Sequence, residues 1–104
     1  MEGYVSALTI AIIYFLRARV SAEGDARESA RRAVHKFNVI DLTQDIIARA
    51  FKEDKIEDLE DALQFHSAKA STKIFITRNK RHFKAVEDEM EFLTPEEFLK
   101  KYRP

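Results

Sequence analysis

Two aspartates at the start of a predicted helix are the side chains best suited to chemistry. Asp58 and Asp61 lie in an acidic run that begins a helix predicted over residues 57–70. A predicted strand, residues 73–77, follows, and Asn79 comes just past its end. Carboxylates held close together repel each other, and a cation between them removes that repulsion. The three side chains therefore predict one side of a divalent-metal site.

The only concentrated basic run follows the same strand. As a functional patch these cations would hold nucleic-acid phosphates near the metal without reading the base sequence. The four residues are Arg78, Lys80, Arg81 and Lys84.

Each of these features also has a purely structural explanation. Acidic residues favour a helix N-terminus because of the helix dipole, which would account for both aspartates. Asn79 is a common turn residue, and Thr77 either orients it or ends the strand. The basic run could be a solvated loop. We further expect Glu53 on the solvated surface and His66 as a packing residue with a satisfied ring.

Composition limits the class of protein. The 104 residues suit a single domain over residues 1–104, and 45% hydrophobic with 35% charged residues suits a globular chain. Eighteen Lys and Arg balance eighteen Asp and Glu, so no overall field attracts nucleic acid. The absence of cysteine excludes disulfides and thiol nucleophiles, and is compatible with a cytoplasmic protein.

The uncharged stretch over residues 4–16 resembles a membrane or targeting segment only superficially. Spanning a bilayer takes about 20 residues, and a signal peptide would have a positive start. We therefore predict no membrane association. Residues 4–6 are predicted as a strand, Ser6 as a helix cap, and residues 7–19 as a buried helix that is apolar almost all round.

Strands alternate with helices along the rest of the chain, which predicts an α/β fold with a parallel sheet covered by helices. Thr94-Pro95-Glu96-Glu97 has the cap, the proline and the glutamates typical of a helix start. The other predicted elements are a helix over 25–37, a strand over 38–42, a helix over 44–51, a loop over 78–84 and a strand over 90–93.

Five segments taken together resemble PIN domains, nearest to the VapC-like toxins of toxin–antitoxin pairs. The resemblance covers nearly the whole chain and rests on the order and spacing of the segments. It implies a three-layer helix/parallel-sheet/helix fold, a ribonuclease activity that depends on Mg²⁺ or Mn²⁺, and an antitoxin as protein partner. The segments are residues 3–9 (GYVSALT), 58–64 (DLEDALQ), 76–80 (ITRNK), Phe83 and residues 92–99 (FLTPEEFL).

The resemblance assigns roles to individual residues. Asp61 matches the family's acidic residue at this helix start, Asp58 matches a second acidic position, and Asn79 falls where the family has Asp or Asn. Two departures weaken the metal site. The acidic residue of the family's first helix would fall near Ala11 or Ile12, and His82 stands where Asp is common. Histidine suits Mg²⁺ poorly and Mn²⁺ or Zn²⁺ better.

The family's first strand, with its aspartate, has no counterpart in this sequence. Two strands on either side of an empty slot would lie about 9.6 Å apart, too far to pair. Either they close up or another chain fills the slot, so we expect a homo-oligomer or a chain shortened by a late start. The missing elements would also be the partners of the apolar helix over residues 7–19.

The expected function is a PIN-type ribonuclease toxin in shortened form, with weak or no activity alone. Asp58 and Asp61 would serve catalysis and, with Asn79, the metal; the basic run would hold RNA. The alternative is a non-catalytic PIN remnant that binds an antitoxin or a second copy. A third possibility is an unrelated small α/β protein.

Overall fold

The computed structural model describes residues 2–102, and the chain divides into two compact units, Met1–Thr43 and Gln44–Pro104. Both units combine helices with strands, and the strand pairing among the described residues is parallel, as predicted. The described strands form two separate two-stranded sheets, one in each unit. The mixed α/β class is thereby confirmed.

The first unit contains two strands and two helices: β1 (Tyr4–Ser6), α1 (Ala7–Ala18), α2 (Glu23–Lys36) and β2 (Asn38–Ile40). β1 pairs with β2, with Val5 opposite Val39. Ser6 caps α1 as predicted, because its Oγ accepts the Thr9 backbone N–H at 3.0 Å. The strand and helix boundaries here agree with the sequence pattern to within a few residues.

The predicted burial of α1 is wrong. No residue of this helix is buried, and Phe15 and Leu16 are 64% and 58% exposed. The facing helix α2 offers only a narrow apolar surface, in which Ala26 and Ala33 are buried. A helix that is apolar all round needs cover on every side, and one neighbouring helix covers only part of its surface.

The second unit contains the remaining elements. The predicted basic loop is partly helical, since residues 80–86 form short 3₁₀ turns with a kink at Phe83 (φ −114°, ψ 16°). The other elements are α3 (Gln44–Lys52), α4 (Leu59–Ser71), β3 (Ile74–Ile76), β4 (Glu91–Leu93) and α5 (Pro95–Lys101).

A cluster of phenylalanines forms the centre of the second unit. Phe65 of α4 is fully buried and Phe83 is 2% exposed. The ring of Phe83 lies 4.9 Å from that of Phe75 and 5.3 Å from that of Phe92. Aromatic rings at such distances add to the stabilisation from burial. The cluster therefore holds α4, both strands and the 3₁₀ turns together.

The β3–β4 pair fixes which loops lie side by side. Phe75 is opposite Phe92, and the Thr77 N–H donates to the Leu93 carbonyl at 2.9 Å. Because the strands are parallel, the segments after Thr77 and after Leu93 leave the same end of the sheet. β3 was predicted as an interior strand, but Ile76 is 46% exposed in this two-stranded sheet.

Candidate functional site

Asp58 is the N-cap of α4. Its Oδ2 accepts the Asp61 backbone N–H at 3.0 Å, and its backbone is extended (φ −91°, ψ 130°). This is the usual geometry of a capping aspartate, which satisfies one of the free N–H groups at a helix start. Helix capping therefore explains the position of one Asp58 carboxylate oxygen, and no bound metal is needed to explain it.

Asp61 lies against His82 of the 3₁₀ turns. The His82 Nδ1–H donates to Asp61 Oδ2 at 3.1 Å, with the carboxylate 24% and the ring 41% exposed. The next residue, Phe83, is buried in the phenylalanine cluster and so fixes the position of His82. This contact places the acidic start of α4 beside the basic segment, which we define as residues 78–84.

Asn79 occupies the turn between β3 and the 3₁₀ turns. Its backbone N–H donates to Thr77 Oγ1 at 3.0 Å, so Thr77 orients Asn79 as one of the sequence readings proposed. The Asn79 side chain is exposed and makes no capping hydrogen bond. Asn79 therefore has a turn role, and its amide faces solvent.

The residues predicted to hold Mg²⁺ or Mn²⁺ do not form a complete site within residues 2–102. Asp58 and Asp61 each use one carboxylate oxygen on a donor of the chain itself. No group of three or more His, Asp or Glu side chains in that range is gathered closely enough to hold a metal. Mg²⁺ takes six oxygen ligands in near-octahedral geometry, but waters supply several of them and proteins often contribute only one or two carboxylates. Asp58 and Asp61 would therefore supply only part of a metal site.

Two of the four basic residues are paired with α5. Arg78 Nη1 lies 3.2 Å from Glu96 Oε1 and 3.0 Å from its Oε2, and Lys80 Nζ donates to Glu97 Oε1 at 3.0 Å. Both pairs are exposed to solvent.

The other two basic residues are less engaged. Lys84 Nζ is 3.8 Å from Glu87 Oε2 on the same stretch of chain. For Arg81 we find no ion-pair partner among residues 2–102, and its side chain is exposed. The four cations predicted to bind RNA thus differ in how far carboxylates already neutralise them.

Sequence reasoning did not identify Glu96 and Glu97 as partners of the basic segment. The order of the elements along the chain nevertheless contained a clue to this pairing. A basic segment follows β3 and an acidic helix start follows β4, and parallel neighbouring strands bring such segments to the same end of a sheet. The sequence did not show that β3 and β4 are neighbours, and the pairing could not be predicted without that information.

Hydrogen bonds lower the pKa of both α5 carboxyls. For Glu96 the largest cause is its own backbone N–H, followed by the Arg78 guanidinium. For Glu97 the Thr94 backbone N–H contributes most, and Lys80 comes next. Thr94 and Glu97 form the predicted capping box, since Thr94 Oγ1 also accepts the Glu97 N–H at 3.1 Å. The capping box therefore holds the Glu97 carboxylate in place for Lys80.

A second titratable pair lies inside the second unit. The His66 Nε2–H donates to Glu53 Oε1 at 2.9 Å, and the two side chains are only 11% and 12% exposed. Burial raises the pKa of Glu53, but the Lys55 N–H and the His66 ring outweigh it, so the net pKa is lowered. His66 is a satisfied packing residue, as predicted. The expectation that Glu53 lies on the solvated surface is wrong.

Comparison of the chain with protein-family models, with curated proteins and with solved structures gave no match. Within residues 2–102, no helix combines the length and the apolar character needed to cross a membrane.

Proposed function

We propose that this chain is a PIN-like ribonuclease of the metal-dependent type, the toxin of a toxin–antitoxin pair, with weak or no activity alone. In this proposal the fold corresponds to the three-layer PIN arrangement, and the protein works in the cytoplasm. Asp58 and Asp61 serve catalysis, Asn79 supports them, and RNA phosphates bind the basic segment. An antitoxin and a second copy of the chain are the protein partners.

The observation that carries the proposal is the contact between Asp61 and His82 at 3.1 Å. It joins the two features that carry the predicted chemistry, the acidic helix start and the basic segment, within one unit. A nuclease needs cations near the scissile phosphate and carboxylates close to them, and this arrangement supplies both.

We propose low activity because few residues of the site are available to bind the metal. Asp58 and Asp61 are the only acidic members proposed for the site, and each already accepts a hydrogen bond within the chain. Mg²⁺ or Mn²⁺ would need further oxygen ligands beyond those that residues 2–102 bring together here. We therefore derive no reaction step through the metal from these residues.

The alternative function is a non-catalytic interaction module, and one specific observation favours it. Helix α1 is almost entirely apolar, yet none of its residues is buried, and Val20 just beyond it is 79% exposed. Exposed apolar surface of this kind is typical of a protein–protein contact. In this alternative the chain binds an antitoxin or a second copy and cleaves nothing.

Thermal unfolding during a Mn²⁺ titration tests which function applies. A metal held at 100 times its dissociation constant would stabilise the folded chain by about 2.7 kcal/mol. The ribonuclease proposal predicts a rise in melting temperature at millimolar Mn²⁺, together with slow, Mn²⁺-dependent cleavage of a labelled single-stranded RNA. No shift in melting temperature at millimolar Mn²⁺ would contradict it and favour the interaction module, whereas a shift without cleavage would agree with a chain that is inactive alone.

Asp58→Asn is the matched variant for this titration. Asparagine caps a helix about as well as aspartate does, so α4 should keep its start while one negative charge is lost. If the carboxylates bind Mn²⁺, the melting shift should shrink in Asp58→Asn. An undiminished shift would place the metal elsewhere.

A further inference from the structure

The segment that we propose binds RNA is partly covered by the chain's own carboxylates. Arg78 lies 3.0 Å from Glu96 Oε2, and Lys80 lies 3.0 Å from Glu97 Oε1. Carboxylates and phosphate oxygens bind the same guanidinium and ammonium donors. A phosphate can therefore engage Arg78 and Lys80 fully only by displacing these two glutamates.

The glutamates are held in place by the fold. β3 and β4 are parallel with Ile76 opposite Leu93, so the first turn of α5 and the basic segment leave the same end of the sheet. The capping box fixes Glu97 further, because its Oε1 also accepts the Thr94 N–H at 2.8 Å. The backbone thus brings the two segments together, and the capping box further restrains the Glu97 side chain.

We propose that the first turn of α5 acts as an autoinhibitory contact, in which Glu96 and Glu97 compete with RNA phosphates for Arg78 and Lys80. This rests on the proposed RNA-directed function of the basic segment. Arg81, which has no carboxylate partner among residues 2–102, and Lys84, 3.8 Å from Glu87, make the first phosphate contacts. Arg78 and Lys80 join only when the glutamates give way.

The size of the effect follows from the exposure of the pairs. The side chains of Arg78 and Glu96 are 69% and 67% exposed, and those of Lys80 and Glu97 are 42% and 48% exposed. Exposed ion pairs are weak, so releasing each one should tighten RNA binding by about two- to fivefold. Each additional phosphate contact should also make the RNA association constant more sensitive to salt. For single-stranded RNA, the slope of the logarithm of that constant against the logarithm of the salt concentration should steepen by about 0.7.

The test compares the intact chain with the double variant Glu96→Gln/Glu97→Gln. Glutamine at the capping-box position still accepts the Thr94 N–H, so α5 should start normally while both charges are lost. Fluorescence anisotropy with a labelled single-stranded RNA, repeated at several salt concentrations, gives the affinity and the salt slope. Tighter binding with a steeper slope in the double variant is the expected result.

The control is Glu23→Gln/Glu28→Gln, which changes the net charge equally. It weakens two exposed pairs with Arg27 and Arg31 of α2, far along the chain from the basic segment. Equal tightening in this control would overturn the autoinhibitory contact, because net charge alone would explain it. RNA binding that is the same in the unchanged chain and in Glu96→Gln/Glu97→Gln would overturn it too, while leaving the RNA-directed function intact. Absence of RNA binding in every variant would overturn both proposals.

Discussion

The first unit leaves its most apolar helix only partly covered, whereas the second encloses a cluster of phenylalanines. In α1, Phe15 and Leu16 are more than half exposed, while Phe65 and Phe83 in the second unit are almost completely buried. The second unit also contains one mostly buried charged pair, Glu53 with His66, whereas the pair of Glu23 with Arg27 in the first unit lies on the surface. Similar residue types thus have different surroundings in the two units.

The difference shows what an apolar helix sequence can predict. It indicates that the helix needs to be buried, but it does not identify the element or the partner chain that buries it. Burial of apolar surface is the main driving force of folding, so the phenylalanine cluster should dominate the stability of the second unit. All residues proposed for RNA and metal chemistry belong to this second unit. The proposed site and the phenylalanine cluster therefore belong to the same unit, while the helix with exposed apolar residues belongs to the first unit.

The largest expected effect separates the two units directly. Phe65→Ala should cost about 3–5 kcal/mol of unfolding free energy, because it leaves a cavity among buried rings. Phe15→Ala, in α1, should change the unfolding free energy by no more than about 0.5 kcal/mol, since the ring is 64% exposed. Urea denaturation followed by circular dichroism measures both. Comparable losses in the two variants would mean that Phe15 is covered in solution, as in an oligomer.

A smaller effect is expected from the charged pairs. Glu53→Ala removes the acceptor of the mostly buried His66 Nε2–H, and leaving that donor unpaired should cost about 1–3 kcal/mol. Arg27→Ala breaks an exposed pair in the first unit and should cost under about 0.5 kcal/mol. The same denaturation assay compares them, and equal costs would contradict the difference in burial.

Acid should weaken the attachment of α5 first. The pKa of Glu91 is lowered by Lys101 and then by Tyr102, and the pKa values of Glu96 and Glu97 are lowered as described above. Carboxyls with a lowered folded-state pKa contribute stability that is complete above the ordinary value near 4.5. That contribution disappears as pH falls through the lower folded-state pKa.

Amide hydrogen exchange of α5 between pH 6 and pH 3, corrected for the intrinsic exchange rate, measures this loss. Protection of α5 should fall below about pH 4.5 before that of α4, whose residues carry the buried Phe65. Glu91→Gln should flatten the pH dependence, because one of the three titrating groups is removed. A pH profile of α5 that matches that of α4 would contradict the prediction.

Local rules predicted much of the second unit from its sequence. The cap at Thr94 depends only on neighbouring residues, and it has the expected partners. The predicted acidic start of α4 was also found, although the role of Asp58 as its N-cap was not predicted. Strand positions also followed, since apolar residues such as Phe75 and Phe92 lie between turn residues.

Features that depend on distant residues could not be predicted in this way. The pairing of Glu53 with His66 links positions 13 apart, and that of Arg78 with Glu96 links positions 18 apart. Both depend on which elements pack together, and local sequence does not determine that choice. The exposure of α1 has the same origin, because its apolar pattern is compatible with burial by several possible neighbours.

The most direct measurement is an NMR titration of the full chain with a short single-stranded RNA at low salt, following the backbone amide signals. An RNA-directed site in the second unit predicts shifts concentrated in residues 78–84 and at the start of α4. The same titration of Arg81→Glu/Lys84→Glu should show strongly reduced shifts, since phosphate contacts are lost. Shifts confined to the first unit, or no shifts in the unchanged chain, would contradict the proposed site.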